Sequence, residues 1–411
     1  MGWLGWSIWV AVAVCGYTYV LYPVLLWIFA GLFGAPSTCR RIDEELPGME
    51  GGWPRVCVLI AAHNEADVIA YKLRNTLELD YPRECLEVLV GSDGSEDRTE
   101  LVVTEFAQGD PRIRLMSLSP QRGKAALINA AMQRIDAPVV VLTDANTYFE
   151  RAAIRRLVTG LRLDERTGAV VGEIRLVSPA GFRAEGSYWR YEVLLKRLED
   201  RLGAVLGANG GCYAIRRSDF IPLSDEVVTD DFVLPLLIAL RRGLRIRYDS
   251  RVSAREETAA GVESEFERKS RIGAGNYQSL QYLWPLLNPW RGWLAFAFGS
   301  HKVMRWLVPF CLIYMLPASA VLAVGDGLFR AFFGIQVLVY VLGWLGGRGW
   351  TRGWKHDITA WPRYFLAMNL ALANGFVRWI VGGQGAAWRG TPRWWHPEGA
   401  HREEKGRWRK G

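Results

Sequence analysis

Uncharged apolar stretches lie towards both ends of this chain, and between them the hydrophobic positions switch repeatedly between strand and helix spacing. From Trp3 to Phe33 no residue is charged, a run longer than the roughly 20 apolar residues that a membrane-spanning helix needs. With no basic residue ahead of it, the run does not fit the short apolar core of a cleavable signal peptide. Arg40 and Arg41 follow, and the positive-inside rule then places the next segment in the cytoplasm. Trp306–Val324 is a second uncharged stretch and Ala331–Gly347 a third; the connector GDGLFR is too short for a domain, so the two should form a hairpin. Tyr364–Val377 is also apolar, but Arg363 and Arg378 bracket only 14 residues, which suits an interfacial or re-entrant helix as well as a span.

Residues 53–260 alternate between the two periodicities. RVCVLIAAHNE reads as a buried strand ending at Ala61-Ala62, ADVIAYKLRNTLEL as a helix, LEVLVGSDGS as a strand and EDRTELVVTEFAQ as a helix. IRLMSL, GKAALINAAMQRI and PVVVLTDAN continue as strand, helix and strand. This alternation predicts an α/β domain whose mostly parallel sheet is covered by helices. Three of its strands run out into polar residues: His63-Asn64-Glu65, Asp93-Gly94-Ser95 and Asp144-Ala145-Asn146. One such ending is an ordinary turn. Three on one edge of a parallel sheet make a single polar cleft, where open α/β folds bind ligands. Gly123-Lys124 opens a helix between them, offering close backbone approach, a helix N-terminus and a point charge to a phosphate. The P-loop spacing is missing, as is a G-x-G-x-x-G turn after the first strand.

Composition narrows the picture. The chain has 411 residues, half of them hydrophobic, with 19 Trp and a net charge of +8. The excess charge is not gathered into a nucleic-acid motif, so no nucleic-acid partner is expected. From Trp388 onward seven Arg/Lys face three Glu among four Trp, which suits an anionic lipid surface. Six cysteines (15, 39, 57, 85, 212, 311) have neither metal nor disulfide spacing, in keeping with a reducing compartment. His301 and His356 receive no role, and YWRYEVLLKRLEDRLG (188–203) reads as a structural helix.

AAHNEADVI, VGSDGSEDRT, RGKAALINAA, LTDANTYF, GANGGCYAIRR and TDDF, in that order and followed by apolar helices, resemble the membrane-embedded glycosyltransferases of family 2. That group holds the cellulose, chitin and hyaluronan synthases and their non-processive relatives. The resemblance implies an α/β GT-A-type nucleotide-sugar domain, with α-helical transmembrane segments at both ends of the chain. It also implies a UDP-sugar donor, a divalent cofactor (Mg2+ or Mn2+) and inversion at the anomeric carbon, in a hexosyl or N-acetylhexosaminyl transferase. The domain boundaries expected are 1–34 for an N-terminal transmembrane helix, 35–52 for a linker and 53–282 for a cytoplasmic GT-A domain. Beyond it, 283–304 would form an interfacial helix region, 305–382 the C-terminal membrane helices and 383–411 the basic Trp-rich tail. An integral protein of a bacterial inner or plasma membrane follows, with the lipid bilayer itself a partner.

Carried over by residue, the resemblance puts Ala62, His63, Asn64 and Glu65 at the floor of the donor site. Asp93 and Gly94 would lie at base and ribose, and Lys124 and Arg268 near the donor. Asp144 and Asn146 occupy the D-x-D position as metal ligands, Asp144 also belonging to the donor site and contact with the sugar being the alternative for Asn146. Hard oxygen ligands suit a magnesium or manganese ion that bridges a diphosphate. Asp231 falls on the proposed base, with Asp230 beside it; as residues opening a helix, Thr229 or Asp230 would otherwise serve as a cap. Asn209, Gly210 and Gly211 match the acceptor loop. Arg271 keeps the arginine of the Gln-x-x-Arg-Trp motif of polymerising members, but Ile272 stands where they carry Trp. The alternative for this cluster, ERKSR, is a basic helix on anionic lipid. Without the Trp platform and with few spans, the expectation is non-processive transfer to a lipid-linked or membrane-proximal saccharide acceptor. A processive polysaccharide synthase, or a non-catalytic membrane protein with a nucleotide-sensing domain, are the alternatives. Donor choice would rest on details around Arg122 and Asn209.

Overall fold

The structure, a computed structural model, describes residues 2–35, 52–177, 183–208, 210–257, 262–347 and 359–382, together with Gly385. Asn209, His356 and the basic tail from Trp388 lie outside the described residues.

The first apolar run is one long helix in two halves. Helices α1 (Trp3–Gly16) and α2 (Tyr22–Phe33) are joined through the π-helical turn Tyr17–Leu21. The α/β domain follows with β1 (Val56–Ala62), α3 (Ala66–Leu77), β2 (Leu86–Asp93), α4 (Thr99–Gly109), β3 (Ile113–Leu118), α5 (Lys124–Met132) and β4 (Val139–Asp144). These strands lie parallel in the order β3-β2-β1-β4, with Ala62 opposite Ser92 and Ala61 opposite Asp144. The three polar strand ends therefore do meet on one edge. Alternate residues of β1 enter different cores: Cys57, Leu59 and Ala61 one, Val56, Val58, Ile60 and Ala62 the other. Burial on both faces is why the strand is an unbroken apolar run.

Past β4 the simple alternation ends. After β5 (Thr147–Phe149), α6 (Ala153–Arg162), β6 (Thr167–Val177) and α7 (Arg183–Leu202), the short β7 (Tyr213–Arg216) pairs antiparallel with both β4 and β6. Helix α8 (Asp230–Arg242) leads to β8 (Arg245–Glu257), which is parallel to β6 and antiparallel to β5. The sheet is thus parallel in its first half and mixed in its second. Its order is β3-β2-β1-β4-β7-β6-β8-β5.

Helix α9 (Val262–Leu283) runs from the domain into two 3-10 turns, and the chain then enters α10 (Trp293–Ala297), a π-helical segment Phe298–Val303 and α11 (Met304–Ala323). Helix α12 (Gly327–Gly347) returns antiparallel, Gln336 Nε2 donating to Ser319 Oγ at 2.9 Å and Tyr340 to the carbonyl of Leu312 at 3.3 Å. The expected hairpin is present, but its first arm begins at Trp293, not Trp306. His301, Lys302 and Arg305 interrupt the apolar pattern and yet lie inside the helix, because the domain supplies partners for them. Among the described residues, three helices are long and apolar enough to cross a membrane: Trp3–Phe33, Trp293–Ala323 and Gly327–Gly346. The fourth, α13 (Ala360–Ile380), extends past both arginines that bracketed it in the sequence. It packs on α9, where Gly375 lies against the backbone of Gly273 and Ala274. ERKSR is accordingly part of a helix held between α13 and the domain, not a free basic face.

Candidate active site

The loops after β1 and β2 are stitched into one platform. His63 Nδ1 lies 2.8 Å from the carbonyl oxygen of Asp93, and the Asn64 amide donates to Ser95 Oγ at 3.2 Å. Asn64 Oδ1 accepts from the Glu96 amide at 2.8 Å, and the Glu65 amide donates to Thr99 Oγ1 at 2.8 Å. Asn64 takes a left-handed φ of 54°, which asparagine tolerates better than most residues. Asp93 is fully buried, and its two carboxylate oxygens accept the amides of Arg122 and Gly123, both at 2.8 Å. It shapes the loop leading into α5. Gly94 has φ 65°, and a Cβ there would sit 2.8 Å from the Gln121 nitrogen, so the turn requires glycine. Arg122 reaches Asp225 Oδ2 at 2.9 Å on the surface.

From this platform Lys124 extends between two carboxylates: Nζ is 2.6 Å from Asp144 Oδ1 and 3.3 Å from Asp230 Oδ2. Burial works against its charge, but Asp144, Asp230 and Asp231 outweigh that and hold its pKa above the ordinary lysine value. Asp230 is pushed up to about 6, first by burial and then by Asp231 and Asp144, with Lys124 opposing. The cap reading for this pair does not hold. Neither Thr229 nor Asp230 caps α8 through its side chain; Asp230 points to Lys124, and Asp231 Oδ1 accepts the Phe232 amide at 3.0 Å. The other oxygen of Asp231 accepts the Gly210 amide, and its carbonyl accepts the Ala208 amide at 3.0 Å. The expected base and the described part of the loop expected to meet the acceptor are thus one hydrogen-bonded unit. Gly211 closes it against β4, since a Cβ there would lie 2.3 Å from the Asp144 nitrogen.

Arg271, from α9, faces the same cluster. Burial and Arg268 pull its pKa down, while Asp144, Asp230 and Asp231 pull it up, and it has no ion pair with a described residue. Arg268 turns elsewhere, to Glu265 at 2.9 Å and Glu256 at 3.9 Å. Asn146 follows β4 in the Ala145-Asn146 turn, half-buried. Beneath that turn lies a residue the sequence reading passed over. Lys72 is fully buried, donating to Thr143 Oγ1 at 2.9 Å and to the Thr147 carbonyl, with its charge 4.1 Å from the Phe149 ring centre. Its spacing from Val68 and Ile69, on the buried face of α3, was the available signal.

No group of three or more His, Cys, Asp or Glu among the described residues could hold a metal by itself. A half-exposed Asp144 beside an Asn is the donor set that suits a magnesium or manganese ion keeping waters and substrate oxygens in its shell. The residues fit such an ion on the condition that Lys124 gives up its contact with Asp144 for that with Asp230.

Comparison with known proteins agrees with this geometry. The model for "Glycosyl transferase family 2" matches residues 57–222, which span β1 to the strand carrying Arg216. Over those residues the chain is similar to glycosyl transferase family 2. A probable glycosyltransferase, YdaM, of Bacillus subtilis is 29% identical over 56% of this chain and 57% of its own length. The beta-monoglucosyldiacylglycerol synthase of Trichormus variabilis is 24% identical over 76% of this chain and 65% of its own. A Staphylococcus aureus poly-beta-1,6-N-acetyl-D-glucosamine synthase is 25% identical over 56% and 58%. The chain spans less than two thirds of the length of these relatives. The Pyrobaculum calidifontis mannosyltransferase PcManGT, solved with GDP-Man and Mn2+, has a TM-score of 0.67 at 21% identity, over 92% of this chain and all of that one. That likeness extends to the GT-A fold of this chain.

Proposed function

We propose that the chain is a membrane-bound, inverting glycosyltransferase that moves one sugar from a UDP-sugar to a lipid-linked or membrane-proximal saccharide acceptor at the cytoplasmic face. The observation that carries this reading is the convergence of Asp144, Asp230 and Asp231 on Lys124, with Arg271 facing them, beside helices able to cross a membrane. The acceptor hydroxyl attacks the anomeric carbon, the bond from that carbon to the diphosphate oxygen breaks, and the hydroxyl proton passes to Asp231. The Gly210 and Phe232 amides orient that carboxylate. Arg271, with no ion pair to a described residue, offers its fork to the departing diphosphate. Asp144 and Asn146 would hold the divalent ion, which supplies charge stabilisation to the diphosphate. With Asp144 on the ion, Lys124 would stay paired with Asp230 and offset the charge that Asp230 and Asp231 share. A lipid acceptor is supported by the diacylglycerol named for the Trichormus variabilis relative, which matches 76% of this chain. Single addition is supported by Ile272 in place of an aromatic platform.

The test is nucleotide release by the purified protein in nanodiscs, with Mn2+ or Mg2+, membrane lipid extract, and a panel of UDP-sugars with GDP-mannose included. One donor should turn over, chelator should abolish it, and Asp231→Asn should lower it by about 10²–10⁴-fold. Long polymer products would instead establish the processive synthase. Donor binding without turnover would establish the sensor.

A further inference from the structure

Two helices of this chain are π-helical at the same place. The turn Tyr17–Leu21 in the first apolar helix and the segment Phe298–Val303 in the second lie side by side, Tyr17 Oη 2.7 Å from Ser300 Oγ. Such local widening of a helix is rare and is frequent at functional sites. Here it surrounds a buried charge cluster contributed by α7. Glu199 is 0% exposed and accepts from Tyr22 at 3.0 Å; His301, 1% exposed, has Nδ1 at 2.5 Å from the same carboxylate. His301 Nε2 is 3.3 Å from Glu192, which also pairs with Arg305, and Arg305 donates to Tyr188 at 3.0 Å. Burying several charges costs free energy that hydrophobic residues of the same size would not, so the cluster is poorly explained as a stabiliser.

Its connections explain it better. One turn from both Glu192 and Glu199, Lys196 donates to the Gly207 carbonyl at 3.1 Å. The chain leaves α7 directly into that loop, the Ala204 amide returning to the Glu199 carbonyl at 2.8 Å. Gly207 sits in the left-handed region at φ 72°, where a Cβ would lie 3.0 Å from Phe232 Cα. Ala208 and Gly210 then hydrogen-bond Asp231. From the membrane helices to the base, every link is a named contact. The donor platform around Asp93 takes no part in it.

We propose that Glu199 and His301 are positioning residues, which set the acceptor loop 204–211 and Asp231 from the membrane helices through α7. This rests on the reading of Asp231 and its loop given above. The consequence is selective: loosening the pair disturbs acceptor capture and leaves the donor site alone.

The experiment uses the full chain in nanodiscs with His301→Gln, Glu199→Gln, the double variant, and Tyr22→Phe as a milder change that removes one hydroxyl. Hydrogen–deuterium exchange is read at 204–211 and at 93–99, so the proposal is tested whether or not transfer is observed. Exchange should quicken at 204–211 in the single variants and stay unchanged at 93–99, with the double variant little worse than either single. In transfer assays the KM for lipid acceptor should rise about tenfold, equivalent to ~1.4 kcal/mol, with acceptor-independent nucleotide release unaltered. Unchanged exchange at 204–211 overturns the proposal, and so does faster exchange at both loops or a parallel fall in nucleotide release. A wild-type protein that shows no transfer with any donor refutes the function proposed above, and the exchange result then stands by itself. If the two glutamine variants do not fold, Tyr22→Phe gives the same comparison.

Discussion

Lys72 shows how much a single buried charge can control. Its fully buried ammonium has two oxygen acceptors and an aromatic face, and it supports the turn between Asp144 and Asn146 from below. Burial pulls its pKa down to about 7, with Cys212 and Asp144 opposing. An unfolded lysine titrates near about 10.4. Below pH 7 both states carry the proton, and the native state bears the full cost of the buried charge. Between pH 7 and about 10 the unfolded chain still holds a proton that the native state has released, so this group makes stability rise with pH. Thermal unfolding of the wild type and Lys72→Met should therefore diverge in the wild type's favour from pH 7 to 9. A difference that is flat with pH would show Lys72 to be solvated. The sequence made Asp144 and Lys124 legible, because strand ends and helix starts have local signatures. It hid Lys72, since a lysine within an amphipathic helix reads as solvent-facing unless its position on the apolar face is counted. Nor could it show that Asp93 is consumed by two backbone amides, because that depends on where residues 122 and 123 return.

The helices tell a similar story one level up. Helix α9 carries Arg271 to the carboxylates, and α13 lies across its back. A Cβ at Gly375 would meet the Ala274 nitrogen at 2.6 Å, and one at Gly273 would meet Leu372 Cα at 3.3 Å. Small residues let two backbones approach this closely. Gly375→Leu should push α13 away, displace Arg271 and cost about 1–3 kcal/mol as overpacking, seen as a lower Tm together with loss of turnover. Gly334→Leu is the control: nothing lies within 4 Å of a Cβ there, so Tm and turnover should hold. Equal losses in both variants would mean that the crossing does not position α9. The sequence undercounted α13 because Arg363 and Arg378 looked like its ends. Both lie within it, Arg363 donating to the Gly346 carbonyl at 2.9 Å and Arg378 pairing with Glu267 at 3.0 Å. Long-range partners of this kind leave no periodic trace. The four parallel strands were legible from their apolar runs, whereas the antiparallel β7 reverses the sheet with only four residues.

At the scale of the whole molecule, the domain is not tethered to its apolar helices but docked on them. Tyr22, Leu26 and Ala30 pack against Leu195 and Leu198 of α7, and Phe29 and Phe33 stack near Trp293. The hairpin of α11 and α12 fixes which ends share a side. Ser319 faces Gln336 and Leu312 faces Tyr340, so Gly346 returns to the level of Arg305, beside the domain. Helix α13 starts there, a Cβ at Gly346 meeting Thr359 Oγ1 at 2.3 Å, and it finishes with Arg378 on Glu267 of α9. Both ends of α13 therefore lie against elements on the domain side, and we propose that it does not cross. In the proposed orientation, with that side cytoplasmic, the Asp326 turn faces out. Single cysteines at Asp326, Ser224 and Val381, in a background lacking the six native cysteines, convert this into labelling of intact cells by a membrane-impermeant maleimide. Position 326 should label from outside, and 224 and 381 only after the cells are opened. Labelling of 381 from outside would make α13 a fourth span, whereas labelling of 224 from outside would invert the proposed orientation.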